Sequence, residues 1–193
     1  MDKGVLVVVS GLSGAGKGTI CKRLLEKYPD YVLSVSATSR KPRKGEENGR
    51  EYFFITKEEF EEMIRDGKLL EYARYVENYY GTPREWVEQQ LESGKNIILE
   101  IELQGAFQVR EKIPDAVLIF ILPPDMDELK RRLINRGTET MEEIEKRLER
   151  AVEEMAFIPE YDYVIVNDEV EKSVDMLHNI VRSEKEKESE EGE

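Results

Sequence analysis

Cysteine, histidine and tryptophan each occur once in the 193 residues, as Cys21, His178 and Trp86. One cysteine excludes an internal disulfide framework and a cysteine-only metal site. One histidine without companion ligands argues against a histidine metal centre. Cys21 reads as a small buried side chain on the first helix, and Trp86 as packing within a small lobe. No apolar run approaches the roughly 18 residues needed to cross a bilayer. The opening MDKGVLVVVSG lacks the basic region and small-residue cleavage site of a secretory signal. The cytoplasm is the simplest compartment.

Amides are scarce too: Asn and Gln total ten against 42 Asp and Glu, a bias that accompanies growth at high temperature through ion-pair networks. Net charge is −13. Such a chain repels nucleic-acid backbones and anionic membranes, so neither is expected as a partner. Positive charge gathers in two places against that background. Residues 36–52 hold five Lys/Arg against three Glu, and residues 130–136 hold four and no acid. A solvated face is the ordinary reason for a charge run, unless an anion fits between the two.

What the chain does have is short apolar blocks, VLVVV, NIILEI, AVLIFIL and YVIV, alternating with helix-like stretches. That alternation predicts an α/β fold with a parallel sheet covered by helices on both faces. The core takes residues 1–35, 95–124 and 158–187. Residues 36–94 break the rhythm and read as an inserted mixed α/β lobe. Its helices open at capping boxes, Thr56–Glu59 and Thr82–Glu85. Residues 125–157 read as two amphipathic helices, a candidate lid, with a further box at Thr140–Glu143. Residues 188–193 read as an acidic, disordered tail.

Directly after the first strand comes Gly11-Leu-Ser13-Gly14-Ala15-Gly16-Lys17-Gly18-Thr19. Glycines let successive N–H groups converge on an anion, the following helix adds its N-terminal dipole, and Lys17 adds a mobile charge. This is a phosphate loop, and all of these residues except Leu12 count as ATP-binding. The common motif has Ser or Thr after the lysine to bind Mg²⁺; here Gly18 stands there, which leaves Mg²⁺ held through waters and phosphates. The Gly-Lys-Gly-Thr form is similar to that of adenylate kinases and indicates a nucleotide kinase without naming the acceptor.

The lobe carries Ser34-Val-Ser36-Ala-Thr38-Ser39-Arg40-Lys-Pro42-Arg43, Gly45-Glu-Glu-Asn48-Gly49-Arg-Glu-Tyr52, Glu71 and Asn78-Tyr79-Tyr80-Gly81-Thr82. Glu100-Ile-Glu102-Leu-Gln104-Gly105, Arg136-Gly-Thr-Glu-Thr140, Lys146-Arg147-Leu148 and Val166-Asn167-Asp168 follow. Together they resemble the guanylate kinase family, collinearly from about residue 4 to 182. The resemblance implies a P-loop kinase that moves the ATP γ-phosphoryl to GMP, with ATP and GMP as substrates and Mg²⁺ accompanying ATP. It implies that Ser36, Arg40, Arg43, Tyr52 and Tyr80 hold the GMP phosphate. Arg136 and Arg147 of the lid contact the ATP phosphates, and Arg132 joins the ATP contacts. Asn167 lies beside the adenine, with Asp168 a second candidate. The catalytic set is Lys17, Arg43, Arg136 and Arg147. Guanine offers N1–H and N2–H₂ as donors and O6 as acceptor, so Glu71 takes the donors and Thr82 donates to O6. Glu100 and Glu102 end the central strand, where the family usually has Asp; they share between them a Mg²⁺-water contact, assigned to Glu100, and a guanine contact, assigned to Glu102.

Two other readings stay open. One is a non-catalytic guanylate-kinase-like module that binds phosphorylated peptides; Lys17, Arg136 and Arg147 favour the enzyme. The other is a kinase of AMP. Monomer and homodimer are both compatible with the sequence, and the lobe and lid are expected to approach each other when both nucleotides bind.

Overall fold

The computed structural model describes residues 3–137 and 139–191, without the side chains of 188–191. Two sheets account for the strands. The larger is entirely parallel and five-stranded, built from β1 (Leu6–Gly11), β2 (Tyr31–Leu33), β7 (Asn96–Glu100), β8 (Val117–Leu122) and β9 (Tyr163–Val166) in the order β2-β7-β1-β8-β9. Its middle strands are unbroken apolar runs because helices cover both faces: Val7, Val8, Val9, Ile97, Ile98, Leu99, Leu118 and Ile119 have no exposed surface. Ser10 and Gly11 end β1 in the middle of the sheet, so the glycine-rich loop emerges at the crevice where ligands bind in such folds. Glu100 closes β7, one place away from the middle, rather than the central strand expected from the sequence.

Helices α1 (Lys17–Lys27), α4 (Leu103–Lys112), α5 (Met126–Arg136), α6 (Met141–Met155) and α7 (Val170–Glu191) belong with this sheet. Leu129, Leu133, Ile144 and Ala151 bury the inner faces of α5 and α6 in the main core. Thr140 and Glu143 form the expected capping box on α6. The α7 backbone stays helical to Glu191, over most of the stretch expected to be a disordered tail; residues 192–193 lie outside the described residues.

The lobe has its own four-stranded sheet, ordered β4-β3-β6-β5, from β3 (Ala37–Thr38), β4 (Phe53–Phe54), β5 (Leu69–Tyr75) and β6 (Asn78–Pro83). Helix α2 (Lys57–Arg65) opens at the Thr56–Glu59 capping box and inserts Phe60 against Tyr79, with stacked rings 5.1 Å apart. Edge strand β5 would expose unpaired backbone groups, but α4 satisfies several. Gln108 exchanges two hydrogen bonds with the Tyr72 backbone, and Lys112 donates to the carbonyls of Leu69 and Leu70.

Two expectations fail at the lobe's end. Helix α3 (Arg84–Glu92) buries Val87 and Leu91 in the main core, and Trp86 packs against that core too, not within the lobe. Thr82 does not cap α3; the N-cap is Pro83, without a side-chain bond, because the Thr82 hydroxyl is committed elsewhere.

Candidate active site

The loop between β1 and α1 is held open by the residues beneath it. Gly16, at φ 97°, is the α1 N-cap, and a Cβ there would lie 2.4 Å from Asn167 Nδ2. Only glycine tolerates both the left-handed backbone and that approach. Asn167 is buried: Nδ2 donates to the Ala15 carbonyl at 2.8 Å, and Oδ1 accepts from the Ser173 hydroxyl at 3.0 Å. Arg132 donates to the carbonyls of Ala15 and Asn167 while Glu128 holds its Nε. Side chains thus grip the loop's underside, and the α1 N-terminus has neither a side-chain cap nor an acid in its first turn. Its N–H groups are left for an anion.

Lys17 folds back on the loop, donating to the carbonyls of Gly11 at 2.7 Å and Leu12 at 3.1 Å. Burial pulls its ammonium below the usual lysine range, while Glu100, Glu154 and Glu102 oppose that shift. Glu100 stands beside Gly18, where a Cβ would begin 3.4 Å from Oε1. Partial withdrawal from water raises the Glu100 carboxyl above the usual carboxylate range, and Lys17 partly offsets this.

A cavity of about 510 Å³ opens above Lys17, between the loop, the β7 end and α6. Glu100 and Glu102 both line it, although Glu102 sits beyond the strand as the N-cap of α4. From α6 come Arg147, Arg150 and Glu154, and from the lobe comes Tyr75. Arg147 donates to the Ser13 hydroxyl at 3.2 Å and pairs with Glu139, not with Glu143 one helical turn before it. Two smaller hollows flank the loop. Arg136 lines both: one of about 410 Å³ with Lys17, Thr19 and Glu100, and one of about 360 Å³ with Arg132, Asn135, Asn167 and Asp168. The loop, the arginines of α5 and α6, and the carboxylates Glu100 and Glu102 therefore meet.

The residues expected on the acceptor side form two groups. Arg40 is gripped through both terminal nitrogens by Glu46, at 2.9 and 3.0 Å, and lies over the rings of Tyr52 and Phe54. Tyr80 closes the cluster, 5.9 Å from the Tyr52 ring centre. Arg43 contributes its backbone N–H to Glu46, its exposed side chain lying outside these contacts, and the Ser36 carbonyl accepts from Phe53. In the other group, Glu71 of β5 and Thr82 of β6 are paired across the lobe sheet and joined by a 2.7 Å hydrogen bond. Burial raises the Glu71 carboxyl above the usual range despite that bond. Gly105 of α4 makes room for it; a Cβ there would lie 3.0 Å from Oε2.

Sequence reasoning overlooked Arg150, Glu154, Tyr75 and Asn135. The first two were legible as the helical stripe 147, 150, 154. Tyr75 and Asn135 carried no motif.

The guanylate kinase family model matches residues 3–184. Guanylate kinase of Clostridioides difficile is 55% identical over 187 residues, covering 97% of this chain and 91% of that protein. The Oceanobacillus iheyensis guanylate kinase is 52% identical, covering 95% and 89%. The crystal structure of guanylate kinase from Anaplasma phagocytophilum superposes with a TM-score of 0.70 at 38% identity, over 95% of this chain and 87% of that one. The chain belongs to the guanylate kinase family.

Proposed function

We propose that this protein transfers the γ-phosphoryl group of ATP to GMP, giving ADP and GDP. The observation that carries the reading is the cavity in which phosphate-loop Lys17, Arg147 of α6 and the carboxylates Glu100 and Glu102 face one another. ATP supplies its triphosphate to the loop and the α1 N-terminus. The acceptor phosphate is already an anionic nucleophile, so no general base is needed. Catalysis consists of aligning two polyanions and neutralising charge on the group in transfer.

In this reading Lys17 leaves the Gly11 and Leu12 carbonyls for the donor phosphates. Arg136 and Arg147 approach from the lid. Arg40, Arg43, Ser36, Tyr52 and Tyr80 hold the acceptor phosphate. Glu46 occupies the two terminal nitrogens of Arg40, leaving the Nε side of its fork for phosphate. Glu71 and Glu102 take the guanine N–H donors. Thr82, expected to donate to guanine O6, gives its single hydroxyl hydrogen to Glu71, so it acts through Glu71, whose carboxylate it orients. Asn167 supports the loop beside the adenine hollow, with Asp168 exposed at its rim.

No group of three or more His, Cys, Asp or Glu that could cage a metal occurs among the described residues. One carboxylate, Glu100, beside a glycine fits a Mg²⁺ that arrives on ATP and keeps most of its waters. Bound so, Mg²⁺ would neutralise phosphate charge. The reading gives the protein a role in purine nucleotide metabolism in the cytoplasm; among the described residues no helix is long and apolar enough to cross a membrane.

A coupled assay with GMP, dGMP, AMP and UMP, with and without Mg²⁺, tests the reading. ATP-dependent GDP formation, fastest with guanine acceptors, is expected. Strongest activity on AMP, or GMP binding without turnover, would overturn it.

A further inference from the structure

Helix α6 turns three side chains, Arg147, Arg150 and Glu154, into the cavity above Lys17. The proposed chemistry uses only the first. Arg150 bridges two bodies: its Nε donates to Glu154 at 2.9 Å within the helix, and its Nη2 reaches Glu102 at 3.4 Å on the core. Glu102 makes no capping bond to α4, so its carboxylate is left for the cavity.

We infer that Arg150 is a positioning residue for the acceptor base, holding the Glu102 carboxylate where guanine N–H groups meet it and thereby linking the lid to the acceptor site. This rests on the guanine-binding role of Glu102 given above. Without Arg150, Glu100, Glu102 and Glu154 face the cavity against only Lys17 and Arg147. An uncompensated carboxylate there would repel the incoming GMP phosphate as well as lose its orientation. The side chains of Arg150 and Glu102 are 63% and 86% exposed, so water screens the pair in the empty site and it adds little to folding stability. A nucleotide that displaces that water strengthens the same pair. The contact is therefore weak when the site is empty and strong when it is filled, as a substrate-responsive tie requires.

The test compares Arg150→Gln, Arg150→Lys, Glu102→Gln and the double variant Glu102→Gln/Arg150→Gln in the full chain. Arg150→Gln should raise KM for GMP about tenfold and move KM for ATP less than about twofold. Arg150→Lys should recover part of the loss. The double variant should be no worse than the poorer single one, because both changes remove one interaction. Tm should stay within about 2 °C of wild type, since the pair is screened. Equal rises in both KM values would make Arg150 a donor-phosphate residue and overturn the inference, as would additive effects in the double variant. Failure of the wild-type chain to make GDP would instead defeat the proposed function.

Discussion

Thr82 donates its hydroxyl to Glu71 at 2.7 Å across β6 and β5, and both side chains are buried. One carboxylate oxygen is thereby fixed, leaving Oε2 beside Gly105 on the α4 side. A buried carboxylate is costly to keep ionised, and burial raises the Glu71 carboxyl above its ordinary range. A site that selects guanine by accepting two N–H bonds has to bear that cost.

Glu71→Gln removes the charge and one acceptor while keeping the shape. The preference for GMP over AMP, measured as a ratio of kcat/KM, should fall at least about tenfold, with KM for ATP nearly unchanged. Unchanged selectivity would reject the role of Glu71. The raised carboxyl also sets a pH dependence. GMP binding needs the ionised form, so KM for GMP should climb as pH falls through a value above the ordinary carboxylate range, and Glu71→Gln should flatten that limb. For stability the sign is opposite. The folded state binds the proton more tightly than the unfolded one, so the group's contribution declines as pH rises through the same window. At pH 7 the Tm of Glu71→Gln should therefore be no lower than wild type.

Lys17 and Arg147 reach the main cavity from different elements, and their losses should differ from that of Glu71 in kind. Lys17→Ala should lower kcat by roughly a hundredfold to a thousandfold, the scale of removing one charge-stabilising donor from a transition state. Arg147→Ala should do the same with a smaller change in KM for GMP. Steady-state rates at saturating GMP and ATP decide; near-wild-type turnover in either variant would exclude direct charge stabilisation.

Asn167 answers a different question. Both ends of its amide are engaged, with Ala15 and Ser173. Asn167→Ala would leave the buried Ser173 hydroxyl without its acceptor and the loop without its tie. A loss of about 1–3 kcal/mol in denaturant unfolding is expected, together with a raised KM for ATP. Weaker ATP binding with unchanged stability would mean that Asn167 acts on the base rather than on the loop.

Much of this was legible because the chemistry is local. Gly11 to Thr19 are contiguous, follow an apolar strand and open a helix, so spacing alone names a phosphate loop. The capping boxes at Thr56 and Thr140 are legible for the same reason. Thr82–Glu85 has the same pattern and fails, because the buried Glu71 carboxylate across the sheet competes for the hydroxyl. The Trp86 placement fails similarly: nothing local tells which of two cores α3 will cover. Arg150 carried a helical-spacing signal, yet its partner Glu102 lies 48 residues away, at a distance only the fold supplies.

Val76 offers a test of strain at the lobe's tip. Tyr75 pairs with Asn78, so Val76 and Glu77 form a two-residue hairpin turn. Val76 has φ 57°, the only positive φ outside glycine among the described residues. Positive φ at the first turn residue alone is the II′ pattern, which favours Gly there, whereas a β-branched side chain is strained. Val76 is 77% exposed, so replacing it gives up little apolar burial. Strain of this type costs on the order of 1–3 kcal/mol, and in a chain of this size 1 kcal/mol moves Tm by about 2–4 °C. Val76→Gly should thus raise Tm by a few degrees in calorimetry, the relief of strain exceeding the entropy that glycine adds to the unfolded chain. A Tm unchanged or lowered by Val76→Gly would mean that the turn stores no strain, and Tyr75, its neighbour at the cavity wall, would need no rigid turn to hold it there.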